Sequence, residues 1–272
     1  MLQLLCPVCG APLCQEERTW RCKNRHCFDI ARSGYVNLLP PSPAGKRHGD
    51  DRLMVNARTA FLSRGYYAHL SQEIAALCGK YTAAAPCILD AGCGEGTYTK
   101  AVHDCLCAQG RQPQLLGVDI SADAVKHAAR LLPQGVFCAA STAHLPLGAE
   151  SADVILNIFS PFMPDEFRRV LTPDGVLIRA VPLERHLYEL KALIYDTPYE
   201  NPPFEAEAEG FTLLEQHALT REIVLPTHAD VESLFQMTPY YYKTGAADQQ
   251  KLADVEQLRV TTAFGVAVYK KR

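Results

Sequence analysis

The chain has 272 residues, 48% hydrophobic and 21% charged, which is enough apolar content for a sizeable core and excludes a disordered or fibrous chain. Its net charge of −3 excludes a molecule drawn as a whole onto nucleic acid by a basic field. No run approaches the roughly 18 apolar residues of a membrane span, and MLQLLCPVCG lacks the basic start and apolar run of a leader, so no membrane association and a cytoplasmic location are expected.

In chain order, residues 1–38 read as a Cys-rich head, 39–52 as a linker carrying PPSPAGKRHGDD, and 53–272 as the main body. Five of the eleven cysteines fall in the first 27 residues. In a reducing compartment such crowding points to metal rather than to disulfides. Residues 1–52 hold eight Lys or Arg against five Asp or Glu, a local +3, so the other 220 residues carry −6. A basic head on an acidic body hints at a polyanionic partner.

From 52 to 81 apolar residues recur at helical spacing, with Gly65 dividing two helices. After Pro86 short apolar runs follow one another: CILDAGC at 87–93, LLGVDI at 115–120, GVFCAAS at 135–141, ADVILNIFS at 152–160 and GVLIRAVP at 175–182. Helical patterns separate them at 97–109, 122–132 and 163–171. Alternation of this kind predicts an α/β fold with a doubly wound parallel sheet. Residues 184–196 read as helix, 210–225 as a strand or hairpin, 228–237 as helix and 258–269 as a closing strand.

Cys6-x2-Cys9-x12-Cys22-x3-His26 has the spacing of a closed zinc site, two close pairs brought together by a hairpin. Zinc would also stabilise a head too small to fold on apolar burial alone. The fourth ligand is His26 or its neighbour Cys27, with His26 preferred, and Cys14 sits in the spacer. Four protein ligands leave no open position, so the ion would be structural.

Asp90-Ala-Gly92-Cys-Gly94-Glu95-Gly96 follows a strand and opens a helix, and Asp119 ends the next strand. Glycines let such a loop approach a ligand, and a carboxylate at the end of the second strand suits ribose hydroxyls. A dinucleotide or S-adenosylmethionine would fit this unit. Glu95 decides for S-adenosylmethionine, because an acid in the loop repels a pyrophosphate and tolerates a sulfonium. Ser141, Thr142 and His144 follow the third strand, where adenine would lie. Asn157 to Phe162 follow the fourth and face the substrate, and Ser160-Pro161-Phe162 loosely matches a proline–aromatic turn that grips planar amines in some methyltransferases.

With CPVCGAPL at 6–13, Cys22 to His26, FDIARSGYVNLLP at 28–40, the Ala57–Tyr67 segment, DAGCGEGTYT at 90–99 and RHLYELKALIY at 185–195, the chain resembles the 23S ribosomal RNA (guanine-N1)-methyltransferases of the RlmA type over nearly its whole length. The resemblance implies a class I S-adenosylmethionine-dependent methyltransferase domain with a seven-stranded, Rossmann-like sheet behind a zinc-binding RNA-recognition domain. It implies methylation of N1 of a guanine in a hairpin of 23S rRNA, and a homodimer. It adds Tyr67 and His186 to Gly94, Glu95 and Asp119 as cofactor contacts. The zinc ligands it implies are Cys6, Cys9, Cys22 and His26.

Guanine N1 carries a proton that must leave, and the target base must leave its stack. Asp165 and Glu166 are near in sequence as bases, and Phe159 and Phe162 as stacking partners. Arg18, Arg21, Lys23, Arg25 and Arg32, with Lys46 and Arg47 of the linker, can meet phosphates. The competing readings are a small-molecule methyltransferase with a structural zinc head, and a non-catalytic RNA-binding protein that kept the fold.

Overall fold

A computed structural model of the chain describes residues 3–41 and 49–272. Lys46, Arg47 and half of the expected linker, residues 42–48, lie outside the described residues. The head contains β1 (Leu13–Glu16), β2 (Thr19–Cys22) and β3 (Cys27–Asp29) in a three-stranded antiparallel sheet. Next come β4 (Val36–Asn37), α1 (Arg52–Ser63) and α2 (Ala68–Tyr81). Asp51 caps α1 by accepting from Met54 N at 3.0 Å, and Gly65, with φ +80°, makes the break between the two helices.

The body continues with β5 (Cys87–Ala91), α3 (Thr97–Ala108), β6 (Gln114–Asp119), α4 (Ala122–Leu131), β7 (Val136–Ala139), β8 (Ala152–Ile158), α5 (Pro164–Val170) and β9 (Leu171–Pro182). It closes with α6 (Tyr188–Ile194), β10 (Phe211–Leu225), α7 (His228–Gln236), α8 (Tyr240–Lys243) and β11 (Leu258–Lys271). The segment at 210–225 is one long strand, antiparallel to β11 along its length, rather than a hairpin.

The sheet runs β10-β11-β9-β8-β5-β6-β7-β4. The order reverses beside β5, so the loop after β5 opens at the switch point where α/β sheets bind ligands. Seven of these strands are the expected ones. The eighth, β4, comes from the end of the head and pairs in parallel with Cys138 and Ala139.

Alternation along the strands assigns each face. Ile88, Val154, Leu156, Val176 and Ile178 point to one core, under α1 to α4, α6 and α7. Their neighbours Leu89, Ile155 and Leu177 point to the other. That second face carries α5, but no helix fills the connection 140–151 between β7 and β8. The head takes that place. Leu4 bridges Leu147, Leu5 N donates to Pro146 O at 2.9 Å, and Leu4, Leu13, Val36 and Leu38 are buried against Leu89, Leu116 and Leu147. Each such aliphatic side chain contributes about 2 kcal/mol by leaving water, and here the body supplies part of the surface that covers them.

Candidate cofactor cleft and metal site

Among the described residues, Cys6, Cys9, Cys22 and His26 form a cluster whose ligand atoms lie within 4.8 Å of one another. Cys9 Sγ and Cys22 Sγ are 3.8 Å apart, and His26 Nδ1 is 3.5 Å from Cys6 Sγ and 3.4 Å from Cys22 Sγ. Zn–S bonds of about 2.3 Å and Zn–N bonds of about 2.0 Å give tetrahedral edges of about 3.8 Å and about 3.5 Å, so the donor set fits zinc. A hydrogen bond from the Ala11 backbone, helped by Asn24, brings the Cys9 thiol down to about 6, so a thiolate is available at neutral pH. Cys27 is exposed and its Sγ donates to Arg25 O at 3.4 Å, away from the cluster. The ring of His26, not the thiol of Cys27, completes the set.

The second site is a cleft of about 930 Å³ over the carboxyl ends of β5, β6 and β8. Gly92, Gly94 and Glu95 form its floor and Asp119 its side. Gly92 has φ +94°, and a Cβ there would sit 2.3 Å from the Ser160 Cβ, so only glycine lets the loop pass this close to the turn after β8. Asp119 accepts from Gly94 N at 3.0 Å and from Ser121 N at 2.8 Å. Burial raises its pKa against those two bonds. Asp90 lies fully buried beneath the loop. Thr99 donates to its Oδ2 at 2.6 Å, while its Oδ1 has no protein partner. Burial, reinforced by Asp119 and Glu95, lifts Asp90 to about 7.

Tyr67 and His186 are brought together from segments 119 residues apart. The Ala263 N–H donates to His186 Nδ1 at 3.1 Å, which places the ring hydrogen on Nε2. Nε2 then donates to Tyr67 Oη at 3.3 Å, and the phenol hydrogen is left for an acceptor in the cleft. Burial drops His186 to about 3, so this polarity is fixed at any physiological pH.

The structure thus gathers Tyr67, Gly92, Gly94, Glu95, Asp119 and His186 on one cleft, with Asp90 directly under it. Gly96 does not line it. That residue starts α3 with φ +90° against Ala128, so its glycine serves helix packing. His144 does not line it either: Ser141, Thr142 and Ala143 do, and a turn closed by His144 N on Ser141 O at 3.1 Å carries the exposed His144 ring outward. Asp165 and Glu166 are also outside the cleft, paired with Arg168 and Arg169. Phe159 is on the cleft wall, but Phe162 packs on the opposite face against Phe167, Phe211 and the Arg179 guanidinium. Asn157 is buried and spends its amide on Ser160 and Pro161, so it builds the turn rather than meeting substrate.

The sequence patterns described as "RlmA, N-terminal" and "Methyltransferase domain" match residues 4–43 and 88–175. The chain is 40% identical over 190 residues to the "23S rRNA (guanine(748)-N(1))-methyltransferase" of Streptomyces fradiae, covering 69% of this chain and 66% of that protein. It is 38% identical over 208 residues to the "Putative 23S rRNA (guanine-N(1)-)-methyltransferase" of Micromonospora griseorubida, covering 69% and 68%. The chain therefore spans about two thirds of the length of these two relatives. It belongs to the RlmA family.

Among solved structures, "The Structure of a Putative Type II Methyltransferase from Anaeromyxobacter dehalogenans" superimposes with a TM-score of 0.51 over 73% of this chain and 95% of that one, at 21% identity, which shows the shared fold. The class I methyltransferase fold and the zinc ribbon are those expected for an RlmA chain, and their cofactors are S-adenosylmethionine and zinc.

Several cleft residues escaped sequence reasoning, Arg58 foremost. Met54, Arg58 and Leu62, one α1 turn apart, line the cleft with Arg58 in the middle. Arg58 is ion-paired to Asp50 at 2.6 Å, and its Nη1 lies 3.6 Å from where a Gly94 Cβ would be. Burial alone would lower its pKa, but Asp50 and Glu95 outweigh that and raise it. A cation repeating at i+4 within an apolar helix stripe was the available signal. Asn201, Tyr199, Tyr240 and Lys243, at the mouth, had no signal in sequence.

Proposed function

We propose that this protein transfers a methyl group from S-adenosylmethionine to N1 of a guanine in a hairpin of 23S rRNA. The observation that carries this reading is the division of the cleft into a charged inner end and an aromatic mouth. The inner end offers a partner for each part of the cofactor: Asp119 for ribose hydroxyls, Glu95, with Asp90 beneath the loop, for positive charge, and Arg58 with the Tyr67 hydroxyl for a carboxylate. Bound there, the cofactor supplies an electrophilic methyl on a cationic sulfur.

The mouth suits a flipped base. Phe159 is 45% exposed and held at φ +52°, a left-handed conformation that costs a bulky residue about 1 kcal/mol or more. Its N–H is fixed on Ala180 O at 3.1 Å, and its ring packs 5.6 Å from Phe264, so the backbone strain places an exposed ring on the cleft wall. A base extruded from its stack finds there an aromatic surface in place of its neighbours. Alignment of N1 with the methyl carbon then supplies much of the rate.

The head, 1–38, serves as the RNA-recognition domain in this reading. Lys23, Arg25 and Arg32 are exposed and make no ion pair among the described residues. Arg21 has only a 3.7 Å pair with Glu16. Arg18 donates to Ile30 O and Ala31 O, so it braces the hairpin first. Such cations gain from phosphates by counterion release. The test is label transfer from methyl-labelled cofactor into naked 23S rRNA, mapped by mass spectrometry. Label on guanine N1 is expected, and label confined to small metabolites would overturn the reading in favour of a small-molecule enzyme.

A further inference from the structure

A buried lysine stands behind the mouth of the cleft. Lys191, in α6, is 0% exposed, and its ammonium donates to Asn201 Oδ1 at 2.8 Å and to Tyr199 O at 3.1 Å. The rings of Tyr199 and Tyr240 flank it at 4.6 and 5.5 Å. A buried cation with two oxygens and two ring faces is a costly arrangement, and nothing in the fold of α6 demands it. Its effect is to orient one side chain that lines the cleft.

The orientation of Asn201 is fixed from both ends. An ammonium can only donate, so Oδ1 must face Lys191. A carbonyl can only accept, so Nδ2 must face Leu183 O, which it meets at 2.8 Å. Asn201 N also donates to Glu184 O at 2.9 Å, which ties its backbone to the loop that carries His186. One amide hydrogen of Asn201 remains without a partner among the described residues, on a residue of the cleft wall. Lys191 polarises that amide by drawing on its oxygen, which makes the remaining N–H a stronger donor.

Resting on the function proposed above, we propose that Asn201, set by Lys191, donates this hydrogen to O6 of the target guanine. Guanine presents an acceptor at O6 beside N1. When the N1–H bond breaks and the proton passes to water, the electron pair left on N1 is shared with O6. N1 then attacks the methyl carbon, and the carbon–sulfur pair returns to sulfur. A donor at O6 is therefore stronger in the transition state than in the ground state. Adenine carries an amino group at the same place. Two donors would face each other there, so the same contact excludes adenine. Asn201 touches the substrate, and Lys191 is a positioning residue.

The test is a cycle between protein and substrate. Wild type, Asn201→Ala and Asn201→Asp are each measured for kcat and KM on a hairpin carrying guanine or 6-thioguanine at the target position, where sulfur is a poor acceptor. Asn201→Asp retains the partner for Lys191 and the backbone bond to Glu184 O but loses the bond to Leu183 O, so the deciding readout is the guanine-to-thioguanine ratio, which a displaced loop would leave unchanged. The expected result is a kcat loss on guanine of at least about tenfold in both variants, with the guanine-to-thioguanine preference of wild type shrinking by a similar factor. Lys191→Met is expected to reproduce the smaller preference, with cofactor binding by calorimetry reporting that it folds; should it not fold, Asn201→Asp decides. Preference ratios equal to wild type in the Asn201 variants would overturn the inference while leaving the methyltransferase reading intact. A wild-type protein that methylates no guanine N1 would overturn the proposed function itself.

Discussion

The head and the body are held together by different physics. In the body, alternate residues of each strand feed two apolar cores, so the fold follows from burial on both faces of one sheet. In the head, three short strands accompany a Cys/His cluster that fits zinc, and the few aliphatic side chains are buried in one cluster with those of the body. The head in turn covers a sheet face that has no helix between β7 and β8. Each region therefore completes the other: the body supplies the head's missing core, and the head supplies the body's missing layer.

Removing the metal gives the largest expected effect. Chelation, or Cys22→Ser, should unfold the head and abolish RNA methylation, because zinc binding supplies most of its folding free energy. The cleft is built from residues 49–243, so cofactor affinity by calorimetry should change little. Loss of cofactor binding along with the metal would break the comparison and show one cooperative unit. Next in size, Asp119→Ala removes two backbone bonds as well as the ribose partner, and should weaken cofactor binding by about 2 kcal/mol or more, read by the same calorimetry. Arg58→Gln should cost about tenfold in affinity for the cofactor and less for an analogue lacking its carboxylate. An equal loss for both ligands would assign Arg58 to holding Asp50 instead.

A smaller effect sharpens the head's role. Arg21, Lys23 and Arg25 changed together to Ala should flatten the salt dependence of RNA binding by about one unit of slope per lost phosphate contact, and leave cofactor binding alone. An unchanged slope would remove these residues from the RNA surface. The smallest effect concerns Asp90. Its pKa in the fold, about 7, lies above the ordinary 3.8, so the cost of ionising it is absent below about pH 4 and complete above about pH 7. Asp90→Asn should raise the Tm of the cofactor-free protein by a few degrees at pH 8, and this gain should fade as the pH falls from 7 to 4. A gain that persisted at pH 4 would trace it to packing rather than charge.

Much of this molecule is local in its causes. The C-x2-C pair, the glycine loop with Glu95, and the runs of apolar residues each act over a few positions, so the Cys-rich head, the succession of strands and helices in the body and the glycine loop at the cleft floor were legible from periodicity and spacing. His26 was separable from Cys27 only by direction: both are one residue apart in sequence, and the strand that starts at Cys27 turns its thiol outward. Phe159 and Phe162 differ in the same way, since a left-handed residue at the end of β8 sends one ring to the cleft and the other to the far core. Arg58, the Tyr67–His186 pair and the Lys191–Asn201 pair join residues that only the folded sheet brings near. Tertiary structure decided these because hydrogen-bond polarity depends on which donor faces which acceptor, and that is settled by packing across the sheet rather than by any neighbour along the chain.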